Sequence, residues 1–202
     1  MNTPNETDEV TDIIHKIPSP ALILVRGLPG SGKSSLAHAL QDIIGADSVV
    51  ILDPDQTDYT SSEYTSLSSS LEKEGVDIKF HPYRYLRSVA YEGIVAGKII
   101  IWNQAFTNLD GFTKTVTNLQ NYATEHNARL TTLVVEVEIN PETAKKRILK
   151  RQNNGGHGVS EEEFNRFIND YVSFVDHGFN IVSVDGSGDI TQSAKSVIRR
   201  LV

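Results

Sequence analysis

Residues 27 to 34 read Gly-Leu-Pro-Gly-Ser-Gly-Lys-Ser, a complete match to the phosphate-binding pattern G-x-x-x-x-G-K-[ST]. This loop constrains the fold around it. It works only between a strand and a helix, because the backbone N–H groups of the glycine turn and the positive end of a helix dipole must converge on phosphate oxygens. The flanks supply both elements. Ala21-Leu-Ile-Leu-Val25 is a short apolar run suited to a buried parallel strand, and beyond Ser34 the residues Leu36, Leu40, Ile43 and Ile44 recur at helical spacing. Gly27, Leu28, Pro29, Gly30, Ser31, Gly32, Lys33, Ser34 and Ser35 are therefore the candidate nucleotide-binding residues. Lys33 reaches the β- and γ-phosphates in such a loop, and the Ser34 hydroxyl binds Mg²⁺. A Gly/Pro turn without a ligand is the competing meaning, and the flanking strand and helix argue against it.

Further strand candidates are residues 48–52, 98–102, 132–139 and 180–184, with helical patterns between them. That alternation predicts a three-layer α/β fold on a parallel sheet. A chain of 202 residues suits one domain with a sizeable core. Ile17-Pro-Ser-Pro20 punctuates the entry to the first strand, so residues 1–17 are expected as a flexible tail and 18–202 as the domain. The serine-rich stretch 60–70 reads as a flexible loop or as inserted substrate-binding structure.

Composition excludes several classes. With 26 acidic against 19 basic side chains, the formal charge of −7 argues against a nucleic-acid coat or an anionic membrane surface as partner. There is no cysteine, and the six histidines show no metal-ligand spacing, so neither disulfides nor a zinc site is expected. No apolar stretch approaches the roughly 18 residues that span a bilayer, and the N-terminus is polar and acidic rather than signal-like. A soluble cytoplasmic protein is the expectation.

The second strand ends in Asp53-Pro-Asp55, at the sheet edge where open α/β folds bind ligands. A carboxylate there can take the proton of an attacking hydroxyl or hold water on Mg²⁺, so Asp53 is both a catalytic and a metal candidate. Asp55 and Asp58 are open to the same roles or to an Asp-Pro turn. Pro141 begins a helical run in which Arg147 and Arg151 lie one turn apart. It leads through the glycine-rich stretch 152–159 into Ser160-Glu-Glu-Glu163, a capping-box signature. Helix, flexible loop and helix predict a lid over about residues 147–166. Arg151, Arg147 and, on the returning helix, Arg166 are its candidate stabilisers of phosphoryl charge. His157 reads as a loop hydrogen-bonder. Asp185-Gly-Ser-Gly188 follows the last strand, where Gly186 either meets a nucleobase through its backbone or belongs to an ordinary turn.

Taken in order, the phosphate loop, Leu52-Asp-Pro-Asp55, His81-Pro-Tyr83, and Arg147-Ile-Leu-Lys-Arg151 followed by Gly155-Gly-His157 resemble the P-loop kinases of the zeta-toxin and small-molecule kinase group. The likeness spans nearly the whole chain after the tail. It implies a five-stranded sheet in the order 2-3-1-4-5, ATP or GTP with Mg²⁺, and transfer of the γ-phosphate to a hydroxyl. In zeta toxins the acceptor is a UDP-linked amino sugar, and a toxin would imply a protein antitoxin as partner. One position departs from the pattern: many relatives end the third strand with Asp, and this chain has Asn103. Tyr83, Arg84, Tyr85 and Arg87 form a candidate acceptor wall or a plain surface helix. The leading expectation is thus a kinase acting on a hydroxyl of a small metabolite or nucleotide-sugar. The alternatives are a nucleic-acid 5′-hydroxyl kinase and a nucleotide-dependent switch or regulatory binding module without an acceptor.

Overall fold

Strand β1 (Ala21–Arg26) is buried along its whole length, because it lies at the centre of a sheet covered on both faces. Its side chains alternate between two cores. Ile23 and Val25 face the helices α1 (Lys33–Ile44) and α7 (Ile190–Leu201), while Leu22 and Leu24 face α3 (His81–Val95) and α4 (Leu109–Glu125). The computed structural model describes residues 13–156 and 158–202. His157 and residues 1–12 of the expected tail lie outside the described residues. Residues 13–17, assigned to that tail from the sequence, do not hang free: Ile13 and Ile17 pack against the first core.

The remaining strands are β2 (Val49–Leu52), β3 (Ile99–Asn103), β4 (Thr131–Glu138) and β5 (Ile181–Asp185). They form one parallel sheet in the order β2-β3-β1-β4-β5, the order that the resemblance implies. Parallel strands bring all their carboxyl ends to one edge. Val25 pairs with Asn103 and Leu52 with Trp102, so the phosphate loop, Asp53 and Asn103 emerge side by side.

The serine-rich stretch is not a flexible loop, one of its two readings from the sequence, since it forms helix α2 (Ser62–Lys73). Ser61 caps it by accepting from the Tyr64 N–H, and the Thr65 and Ser69 hydroxyls fold back onto carbonyls one turn earlier. Packing does the rest. Tyr64 meets Tyr59 and Tyr85 edge-on, Leu71 is buried, and Ser68 bonds to the buried His81. Poor helix formers are held in a helix by tertiary contacts that propensity does not register.

The lid consists of α5 (Pro141–Asn153) and α6 (Glu161–Asp170), joined by a short connection. The expected capping box is present at Ser160 and Glu163. Ala144, Ile148 and Phe164 give the lid a small core of its own, and Lys145 pairs with Glu161 across its two legs. No helix among the described residues is long and apolar enough to cross a membrane.

Leu40, fully buried where α1 meets the sheet, holds the helix that carries the phosphate loop. Leu40→Ala should cost about 2–5 kcal/mol by lost burial and residual cavity, measured as a lower urea midpoint with unchanged slope.

Candidate functional site

Helix α1 begins at Gly32, whose φ of 104° lies in the left-handed region, and no side chain caps it. Side chains cap α2, α4, α5, α6 and α7 by accepting a first-turn N–H. The first turn of α1 therefore keeps its donors for an anion. Two glycines of the loop have no room for a side chain. A Cβ on Gly27 would stand 2.6 Å from the Val137 carbonyl oxygen, and one on Gly30, at φ +79°, 2.6 Å from that of Ala144. The loop is thus pressed between β4 and the first leg of the lid.

The nine loop residues divide by role. Pro29, Gly30, Gly32, Lys33, Ser34 and Ser35 line a cleft of about 1080 Å³. Gly27, Leu28 and Ser31 support it from behind, and the Leu28 carbonyl accepts from Lys33 Nζ at 3.0 Å. Burial pushes the Lys33 ammonium down to about 8; Asp55 and Asp53 draw it up, and Arg151 lowers it again.

Asp53, Asn103 and Ser34 form one hydrogen-bonded cluster. Asn103 Nδ2 donates to Asp53 Oδ2 at 2.6 Å and to Ser34 Oγ at 2.9 Å, and Ser34 Oγ lies 3.4 Å from Asp53 Oδ2. The acceptor-only carboxylate dictates that the amide presents its nitrogen here. Asp53 Oδ1 accepts the Asp55 N–H at 2.9 Å, so the Asp-Pro turn is itself tied to the carboxylate. Asp55 is exposed and lines the cleft. Asp58 does not line it; its carboxylate binds the Thr60 N–H and hydroxyl, which lower its pKa.

Of the three lid arginines, Arg151 and Arg147 line the cleft and Arg166 does not; it stands exposed on α6. Arg147 is tied down by backbone. Its Nη1 donates to Gly186 O at 2.8 Å and approaches Gly30 O and Ser31 O at 3.5 Å each, so it works as a strut. Gly186 lines the cleft with its own polar groups engaged, N–H to Glu138 O at 2.7 Å and carbonyl to Arg147. It contributes shape there, where a Cβ would fall 2.2 Å from Ser31 O.

The same cleft is also lined by Phe80, Tyr83 and Arg87 of the α3 region and by Trp102, Phe106 and Phe112. Of the expected acceptor wall, Tyr83 and Arg87 belong to it; Arg84 is exposed outside it and Tyr85 packs on Tyr64. Sequence reasoning passed over Phe106 and Phe112. Phe112 recurs at helical spacing with Val116 and Leu119, which reads as core, and Phe106 adopts φ 48°, a conformation no pattern announces.

A five-stranded parallel sheet of order 2-3-1-4-5, a glycine loop closing onto an open helix terminus, and a two-helix lid bearing arginines define a P-loop kinase fold. The family model for Zeta toxin matches residues 5–185, and the chain belongs to that family. A solved structure of the PezAT chromosomal toxin–antitoxin system of Streptococcus pneumoniae is 15% identical, with a TM-score of 0.60, over 93% of this chain and 80% of that one. The APS kinase CysC of Mycobacterium tuberculosis, in complex with AMPPNP and APS, is 16% identical at TM-score 0.56, over 91% and 98%. A gluconokinase from Sinorhizobium meliloti 1021 is 15% identical at TM-score 0.55, over 91% and 94%. At such identities these neighbours speak to fold alone. No curated protein matches the sequence.

Asn103→Asp would set a second carboxylate where the amide nitrogen now stands 2.6 Å from Asp53. Two carboxylates so close do not both ionise, so the folded variant should retain a proton that the unfolded chain releases. Relative to the parent, its stability should therefore fall as pH rises from about 4 towards 8, and Mg²⁺ should reverse the loss. Melting temperature against pH, with and without Mg²⁺, checks this.

Proposed function

We propose that this protein is an ATP- or GTP-dependent phosphotransferase that moves the γ-phosphate to a hydroxyl of a small metabolite or nucleotide-sugar. One observation carries the reading: a single cleft of about 1080 Å³ is lined by the phosphate loop, by Asp53 and Asp55, and by the aromatic side chains of Phe80, Tyr83, Trp102, Phe106 and Phe112. That volume is at the upper end for a small-molecule pocket, enough for a donor and an acceptor. A switch needs only the phosphate-binding part of such a cleft.

The side chains divide the work. Lys33 and the open terminus of α1 hold the donor phosphates, and Arg151, within electrostatic reach of Lys33, offsets charge as the phosphoryl group moves. Asp53 accepts the proton of the acceptor hydroxyl, with Asp55 as the neighbouring carboxylate. Magnesium fits the donor set. Ser34 Oγ and Asp53 Oδ2 would offer it hard oxygen ligands, and Asn103 Oδ1, buried with no partner, would be left to accept from a metal-bound water. Among the described residues no three His, Cys, Asp or Glu side chains gather into a metal site, so phosphate oxygens must complete the shell. When bound, the ion neutralises phosphate charge. In a family that includes toxins, a protein antitoxin is the partner to seek.

The deciding experiment supplies labelled ATP with and without a metabolite extract. A labelled small product supports the proposal, and release of phosphate alone supports the switch. Asp53→Asn should retain triphosphate binding and lose about 10²- to 10⁴-fold in transfer. Loss of Mg²⁺-dependent binding instead would assign Asp53 to the metal shell, a role its Oδ2 contact with Ser34 already suits. Arg151→Ala should lower kcat more than nucleotide affinity, the pattern of a group that acts on developing charge.

Affinity should also depend on pH. Phosphate favours protonated Lys33, so binding is full below the free protein's value of about 8 and weakens as pH rises through it. Calorimetry at about pH 8.5 in buffers of different ionisation enthalpy should show net proton uptake. Lys33→Ala should abolish both the uptake and the transfer.

A further inference from the structure

Arg26, the residue immediately before the phosphate loop, is fully buried, the largest side chain among the described residues to be so. Its Nη1 pairs with Glu136, its register neighbour on β4, and its Nη2 donates to Val172 O at 2.8 Å. Its guanidinium carbon stands 4.2 Å from the ring centroid of Tyr171 and 3.5 Å from that of Phe174. These partners do not belong to one element. Glu136 lies just ahead of the lid's first leg, and Tyr171 to Phe174 form the chain that leaves its second leg.

One guanidinium therefore touches the strand that enters the phosphate loop, the strand that enters the lid and the segment that leaves it. A buried ion pair is a weak source of stability, because desolvation offsets the attraction and apolar side chains of similar volume serve about as well. What it supplies is direction: a planar fork with fixed donors permits one arrangement of its partners. The lid's first leg is placed against the loop as well, through Gly30 on Ala144 and through the Arg147 strut. The second leg, α6, comes back to the loop's strand through Arg26.

We propose that Arg26 is a positioning residue that registers both legs of the lid on the strand carrying the phosphate loop, so that the lid arginines close at a defined distance from Lys33. The proposal rests on the phosphotransferase reading. Arg26→Met alone would leave Glu136 charged and buried, and would test little beyond folding. The informative variant is Arg26→Met with Glu136→Leu, which removes both charges and keeps the volume.

If Arg26 positions the lid, the double variant melts near the parent temperature and still binds a non-hydrolysable ATP analogue, yet loses about 10²-fold in kcat with little change in KM, the scale of roughly 1 Å of misplacement. In hydrogen exchange, α6 of the parent gains protection on binding that analogue, and α6 of the double variant does not. A double variant that folds and keeps parental kcat and protection overturns the proposal and leaves Arg26 a packing residue. A parent that neither transfers phosphate nor responds to the analogue overturns the phosphotransferase reading, and this proposal with it.

Discussion

The phosphate loop is compressed from several sides, and the rest of the site depends on that compression. Behind it Gly27 meets Val137; against it Gly30 meets the lid helix at Ala144; across it Gly186 lies under the carbonyl of Ser31. At each contact a methyl group would collide with backbone, which no rotamer change relieves. Strand β4, the lid and the last turn of the sheet are therefore placed by a loop whose own shape is set by its purpose.

The polar network at the strand ends follows from the same placement. Because Asn103 pairs with Val25, it stands beside the loop, and its amide nitrogen bridges Asp53 and Ser34. An Asp at this position would repel Asp53 unless a cation lay between them. An Asn holds the cluster together without one. The substitution thus exchanges a charge for preorganisation. It leaves Asp53 as the carboxylate of the cluster, with Asp55 the next one in the cleft.

Charge is distributed unevenly. The chain carries a formal −7, yet Lys33, Arg87, Arg147 and Arg151 all line one cleft. Their surroundings differ: Arg147 is tied to backbone carbonyls, whereas Arg151 lies near enough to Lys33 to lower its pKa. An anion entering the cleft would meet donors already aimed by the fold, the condition under which electrostatic stabilisation costs no reorganisation.

The sequence by itself determined the loop, its strand and helix, the parallel sheet and the two-helix lid. Each of these rests on local chemistry: apolar period, glycine turn, capping box. Its likeness to the zeta-toxin group carried the strand order. Asp53 was legible because it directly follows an apolar run. Local signals failed where neighbours distant in sequence decide. The serines of α2 form a helix because Tyr64, Ser68 and Leu71 find partners on other segments, and Arg166 stands outside the cleft although it shares the lid with Arg151. Only the tertiary structure showed that Arg26, in sequence merely the end of an apolar strand, meets both the strand ahead of the lid and the segment behind it. Glu136, Val172, Tyr171 and Phe174 lie more than a hundred residues away along the chain, and no spacing rule connects them. A buried charge takes its meaning from the groups that surround it, and folding alone brings those together.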